Sequence, residues 1–344
     1  MDWLSLRAPL EAWLKSAGAA KFSDEDLRVL WQGGYNTLVD LKVATRASLE
    51  RAGLRPARVD QILSAQGRAG ASFEEFWKKL PKAVVAQSSQ NFEVLQLADG
   101  TAFPDPGHST TLLVHPCYHT LCKKIFASVG KSDPPSRQVL IRGTPGKLMG
   151  LSAGAKLFWE MGDGIGKSTF LDYLLYRLAC QGKTVVWCSK SVLDSVLLFT
   201  PNGVFEATST AAFREELRDP STWFLCDAVE PPSKVAITVM ASSPRNSNYN
   251  EYAKQAGLRL WMGPWSYVEL EAARGIMFSS VSKAKLSELY ARWGGIPRYV
   301  LKYAANPELQ EELDAAVATY CNVDYKCAKY VWSIGTLLAV NMIV

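Results

Sequence analysis

The chain is short of histidine, of any cysteine framework and of charge of one sign, and each shortage removes a class of protein. Its 344 residues carry 38 Lys and Arg against 33 Asp and Glu, a net +5, with no run of basic residues interleaved with aromatics. Nucleic-acid binding is therefore permitted by the composition and not indicated by it. Seven cysteines, an odd number without repeating spacing, argue against a disulfide scaffold. Cys180, Cys188 and Cys226 lie in apolar stretches and read as small buried hydrophobes of a reducing compartment. The opening "MDWLSLRAPLEAWLKS" has no basic segment ahead of a long apolar one, so no secretory signal is expected. The final "YVWSIGTLLAVNMIV" is apolar but about five residues short of a membrane span. All three histidines (His108, His115, His119) gather with Cys117 and Cys122, yet their spacing matches no standard zinc site. An intracellular protein of the cytoplasm or nucleus, without membrane contact, is expected.

What is present begins with helices. Residues 8–66 show apolar positions at three and four spacing, with Ser or Thr starts followed by acids, as in Ser23-Asp24-Glu25-Asp26 and Thr45 ahead of Glu50. The order "WL", an acidic helix, "TLVDL" and "LERAGL" resembles a SAM domain, a five-helix module. That resemblance implies self-association or protein partners through residues 1–67. Residues 68–136 read as a mixed connecting region: helices at "FEEFWKKL" and "YHTLCKKIFASV", and a hairpin in "FEVLQLADGTAF" around Asp99-Gly100.

From residue 137 to 263 apolar, β-branched runs alternate with helical stretches: "QVLIRG", "STFLDYLLYRLACQG", "KTVVWCS", "TAAFREELRDP", "TWFLCD" and "KVAITVMASSP". The pattern predicts an α/β fold, a parallel sheet with helices on both faces. Residues 264–344 keep only helical periods and read as a helical appendage.

The chemistry concentrates in "GDGIGKSTF". The phosphate-loop pattern G-x-x-x-x-G-K-[ST] is met from Gly166 onward, but its first glycine falls on Met161. In such a loop the amides of Gly164, Ile165, Gly166, Lys167, Ser168 and Thr169 face a phosphate at a helix N-terminus. Lys167 reaches the β and γ phosphates, and the Ser168 hydroxyl ligates magnesium. Asp227, ending the apolar "TWFLCD", is the expected second magnesium group. The residue after it is Ala228, where many ATPases carry a second acid, so slow hydrolysis is expected; Glu230 is the nearest carboxylate in sequence. Arg245, beyond "KVAITVMASS", is placed to sense the γ-phosphate.

"RGTPG", "GIGKSTFLDYLLYRLA", "TWFLCD", "SSPRNSNYNEYAK", "GPWSYVELEAAR" and "RWGGIPRYVL", in that order, resemble the NTPase region of Crinkler effectors and retrotransposon hot spot proteins. The resemblance covers about residues 112–320 and implies a STAND-like P-loop ATPase using ATP and magnesium, working as a nucleotide-dependent switch. It implies that Pro297 of "GGIP" packs on the adenine and, by analogy alone, a secreted effector. The "LFLAK"-like string of Crinkler effectors is missing, and no nuclease activity is carried over.

In that family "RGTPG" runs directly into "IGKS". Here "KLMGLSAGAKLFWEMGD", residues 147–163, stands between Gly146 and Gly164. The missing loop glycine is therefore Gly143, separated from its partners by an insertion of the kind a retained intron leaves. "QVLIRG" is expected to be the central strand, with "AKLFWEM" as the competing assignment. The rival function is an interaction protein whose interrupted loop no longer binds nucleotide.

Overall fold

The computed structural model describes residues 7–8, 10–11, 22–37, 40–41, 44–65, 71–88, 92–105, 110–129, 137–143, 164–231, 235–242, 250–313 and 315. Helices α1 (Asp24–Gln32), α2 (Arg46–Arg51) and α3 (Pro56–Ala65) come first. Ser23 caps α1 in a reciprocal capping box with Asp26, and Thr45 caps α2 with Ser48 in the same way. Their apolar faces meet in a core that includes Leu27, Leu30, Leu49, Val59 and Ile62. The module's other features lie largely outside the described residues.

Helix α4 (Ala71–Lys79) leads into an antiparallel meander of β1 (Val84–Gln87), β2 (Glu93–Gln96) and β3 (Thr111–Val114), followed by α5 (Pro116–Val129). The hairpin expected within "FEVLQLADGTAF" does not form. The turn at Asp99-Gly100 is present, but β2 pairs with β1 on one side and β3 on the other. Pro104 has no N–H to give a ladder, and residues 101–105 instead bury Thr101, Phe103 and Asp105.

The main sheet has seven strands: β4 (Gln138–Gly143), β5 (Val185–Ser189), β6 (Val192–Thr200), β7 (Gly203–Ala207), β8 (Trp223–Asp227), β9 (Ile237–Ser242) and β10 (Leu258–Met262), in spatial order β10-β4-β9-β8-β5-β6-β7. Helix α6 (Lys167–Ala179) follows β4, α7 (Asn250–Gln255) precedes β10, and α8 (Tyr267–Met277) and α9 (Lys283–Trp293) follow it. A π-helical turn at Arg298–Lys302 and a helical stretch at 307–313 come last.

The sheet is mixed rather than wholly parallel. β10, β4, β9, β8 and β5 run parallel, while β6 and β7 extend β5 as antiparallel strands. Two tight turns cause this: Lys190-Ser191 pairs Ser189 with Val192 and folds β6 back on β5, and Pro201-Asn202 pairs Thr200 with Gly203 and folds β7 back on β6. "TAAFREELRDP" is not a full helix but two 3-10 turns, Thr210–Phe213 and Glu216–Arg218, ended by Pro220. Short runs like these serve as connectors.

Alternate residues of the central strands feed two cores. Val139, Ile141, Val185, Leu225 and Val239 pack toward α5 and α6; Leu140, Val186, Phe224 and Met240 pack toward Tyr252 of α7 and Phe213 and Leu217 of the 3-10 turns. Burial on both faces accounts for the continuous apolar runs. "QVLIRG" is interior strand β4; "AKLFWEM" lies outside the described residues.

Candidate functional site

From β4 the chain crosses by way of α6 to β5, works back through β8 and β9, and then passes to the other side of β4 to form β10. Where strand order reverses, a crevice opens beyond the carboxyl ends of the parallel strands. Gly143, Ser189, Asp227 and Ser242 are the last residues of β4, β5, β8 and β9. A cavity of about 790 Å³ occupies this edge.

Of the residues expected from sequence, Gly164, Gly166, Lys167, Ser168, Thr169, Asp227 and Pro297 all line the cavity. Ile165 does not: its side chain is buried and only its backbone belongs to the turn. Arg245, Met161 and residues 147–163 lie outside the described residues. Glu230 is not among the lining residues; it accepts a hydrogen bond from the backbone N–H of Tyr252 at 2.7 Å.

The turn before α6 is held through its carbonyls. The Arg298 N–H donates to Gly164 O at 3.3 Å, Trp265 Nε1 to Ile165 O at 3.0 Å, and the Tyr118 hydroxyl to Gly166 O at 2.8 Å. Gly166 adopts φ 100°, and a Cβ there would sit 2.7 Å from the Tyr118 oxygen, so glycine is required on both counts. As N-cap it offers no side chain to the amides that open α6, which have no partner within the helix. These amides and the helix dipole make that end attractive to an anion. Lys167, in the first turn, is 6% exposed and borders the same space.

The strand ends supply polar groups. Asp227 lies beside Ser189 in the β5–β8 register, and the Ser189 hydroxyl approaches Asp227 Oδ2 at 3.4 Å. Ala228, next along, takes a left-handed φ of 54°, a conformation that costs an alanine about 1 kcal/mol. Ser242 is 1% exposed and borders the cavity, and among the described residues its Oγ has no hydrogen-bond partner. A buried hydroxyl without a partner costs about 1–3 kcal/mol.

The lining also includes apolar Trp265, Ala273, Met277, Phe278, Pro297 and Leu301, with Arg298 and Lys302 beside the last two in sequence. "GGIP" takes part through close approach, because a Cβ on Gly295 would fall 1.9 Å from the Trp265 carbonyl oxygen. The Trp265 N–H donates to Gly295 O at 2.8 Å, fastening this segment to the start of α8.

The described histidines are engaged elsewhere. His115 Nε2 lies 3.0 Å from Glu269 Oε1, its ring 4.6 Å from that of Trp265. Burial holds its pKa below the usual value although Glu269 pulls the other way. His119 Nε2 is 3.0 Å from Glu93 Oε2. Burial, and then Glu269, push the Cys117 thiol up to about 12. His108 lies outside the described residues.

Tyr118, Trp265, Arg298, Ser242 and Asp105 also frame this site and were not expected from sequence. Only Ser242 carries a local signal, the first of two serines closing an apolar strand; the rest become neighbours through folding alone.

No family profile matches this chain. It is 28% identical over 179 residues to Crinkler effector protein 16 of Phytophthora infestans, covering 47% of this chain and 26% of that protein. It is 30% identical over 156 residues to Crinkler effector protein 15 of the same organism, covering 40% of this chain and 23% of that protein. The matched region thus spans about a quarter of either relative. The chain is distantly and partially homologous to Crinkler effectors.

Proposed function

We propose that this cavity binds ATP with magnesium and that the chain is a P-loop NTPase of Crinkler and retrotransposon hot spot type, working as a slow nucleotide-dependent switch. The observation that carries the reading is the meeting of buried Lys167 and Asp227, sixty positions apart in sequence, on one cavity at the N-terminus of α6. The Ser242 hydroxyl and a lining that holds both charged and apolar side chains suit a ligand with a phosphate end and a flat base.

In this reading the amides of Gly164 to Thr169 and the Lys167 ammonium hold the phosphates, while Pro297 and Trp265 bound the base. Ser168 directly, and Asp227 through water, would hold magnesium, which neutralises charge on the phosphates. Arg245 remains the proposed γ-phosphate sensor. Ala228 gives no carboxylate beside Asp227, which favours slow turnover. Contacts of Arg298 and Trp265 with the loop let nucleotide state bias α8 and α9. The N-terminal helices, read as SAM-like, would recruit protein partners or a second copy of the chain.

Thermal unfolding with and without Mg-ATP tests the core of this. Wild type should gain about 2.7 kcal/mol at a hundredfold excess over Kd, and Lys167→Ala little or none of it. Unchanged curves in both proteins would instead indicate an interaction module whose interrupted loop binds no nucleotide.

A further inference from the structure

The cavity receives a carboxylate that belongs to neither the phosphate turn nor the main sheet. Asp105, in the segment between β2 and β3, is 5% exposed and lines the same space as Lys167 and Asp227. The Ser191 hydroxyl donates to Asp105 Oδ2. Ser191 Oγ lies 2.7 Å from Ser189 Oγ, and Ser189 Oγ in turn lies 3.4 Å from Asp227 Oδ2. Two serines therefore bridge two carboxylates across the ends of β5 and β8.

A sheet irregularity places this bridge. The β5–β6 register slips between Cys188 and Ser189, a bulge of the kind that re-aims side chains beside active sites. The Ser191 N–H also donates to Ser189 Oγ at 3.2 Å, fixing the two hydroxyls together.

Among the described residues three carboxylates line the cavity: Asp105, Asp172 and Asp227. Asp227 is the residue assigned to magnesium. Asp172 lies within α6, where its charge acts on the buried Tyr118 hydroxyl. Asp105 enters from outside α6 and β8, and Ser191 and Ser189 tie it to the Asp227 side of the cavity. Ser242, whose buried hydroxyl has no partner among the described residues, borders the same space.

We propose that Asp105 is the water-activating carboxylate for hydrolysis of a nucleoside triphosphate, an assignment that rests on the nucleotide reading above. The water oxygen bonds to the terminal phosphorus as that atom's bond to the bridging oxygen breaks. The bond's electron pair leaves with the diphosphate, and Asp105 takes the water proton and releases it to solvent.

The test uses the full chain with Mg-ATP and reads both thermal stabilisation and single-turnover hydrolysis. Asp105→Asn keeps the shape and an acceptor for Ser191, and should be stabilised by Mg-ATP at least as well as wild type. Its hydrolysis should fall at least about a hundredfold. Asp105→Glu should recover about a tenth of the wild-type rate. Ser191→Ala leaves the carboxylate in place but loosened, and should bind normally and turn over about three- to tenfold more slowly; it keeps the question decidable if the Asn variant does not fold. The assignment is overturned by an Asn or Ser191→Ala variant that is stabilised and hydrolyses at the wild-type rate, or by a wild type that binds without hydrolysing. If Mg-ATP stabilises no protein, wild type included, the nucleotide reading fails and takes this assignment with it.

Discussion

Asp26 in the N-terminal helices and Lys167 in the α/β core are both charged and both nearly inaccessible, at 4% and 6% exposure. Asp26 is surrounded by its own module: Ser23 N and Oγ donate to Oδ2 at 3.0 and 2.7 Å, Arg55 donates to Oδ1 at 2.8 Å, and Arg58 Nε lies 3.2 Å from Oδ2. Lys167 borders a cavity shared with Asp105, Asp172 and Asp227. A buried charge enclosed by partners from its own helices serves folding. Lys167 instead borders a cavity whose carboxylates come from three parts of the chain, the arrangement that the nucleotide proposal uses.

The difference can be broken by substitution. Asp26→Ala removes one half of a capping box and two ion pairs, and should destabilise the N-terminal helices by about 2 kcal/mol. It should leave the Mg-ATP shift of the core intact, as two-transition melting would show. Burial alone would raise the Asp26 pKa, but Arg55 and Ser23 bring the net value below the ordinary 3.8. Its contribution is therefore full above pH 3.8 and lost as pH falls through the lower folded value, so acid should melt these helices in that window.

Ser242→Ala should act in the opposite sense. Removing an unpartnered hydroxyl should raise the stability of the ligand-free protein by about 1 kcal/mol while weakening ATP binding, measurable by denaturant melts and titration. A loss of stability in the ligand-free protein would show that Ser242 serves folding after all. The smallest effect is expected from Ala228→Gly, which relieves a left-handed alanine and should stabilise by about 0.5 kcal/mol in the same melts.

Legibility followed locality. The strands "QVLIRG", "TVVWCS", "TWFLCD" and "AITVMAS" were readable because burial on both faces leaves continuous apolar runs, and α6 because its pattern follows a phosphate-loop half-motif. β6 and β7 are less legible although "TPNG" announces their turn, because Asp194 and Ser195 interrupt the apolar run of β6. β10 escaped notice because Arg259 and the half-exposed Trp261 break its apolar run, as suits an edge strand. At the site, Lys167, Ser168 and Asp227 came from spacing. Asp105, Tyr118, Trp265 and Arg298 could not, because what unites them is a strand order that reverses at β4, and no single stretch of sequence records it.

The three bonds that fasten the carbonyls of Gly164, Ile165 and Gly166 come from Arg298, Trp265 and Tyr118, residues that lie on both sides of the turn in sequence. Such a turn has no slack. Moored at three successive points, it is a junction shared by α5, the start of α8 and the turn after α9, so that those three segments meet at its backbone.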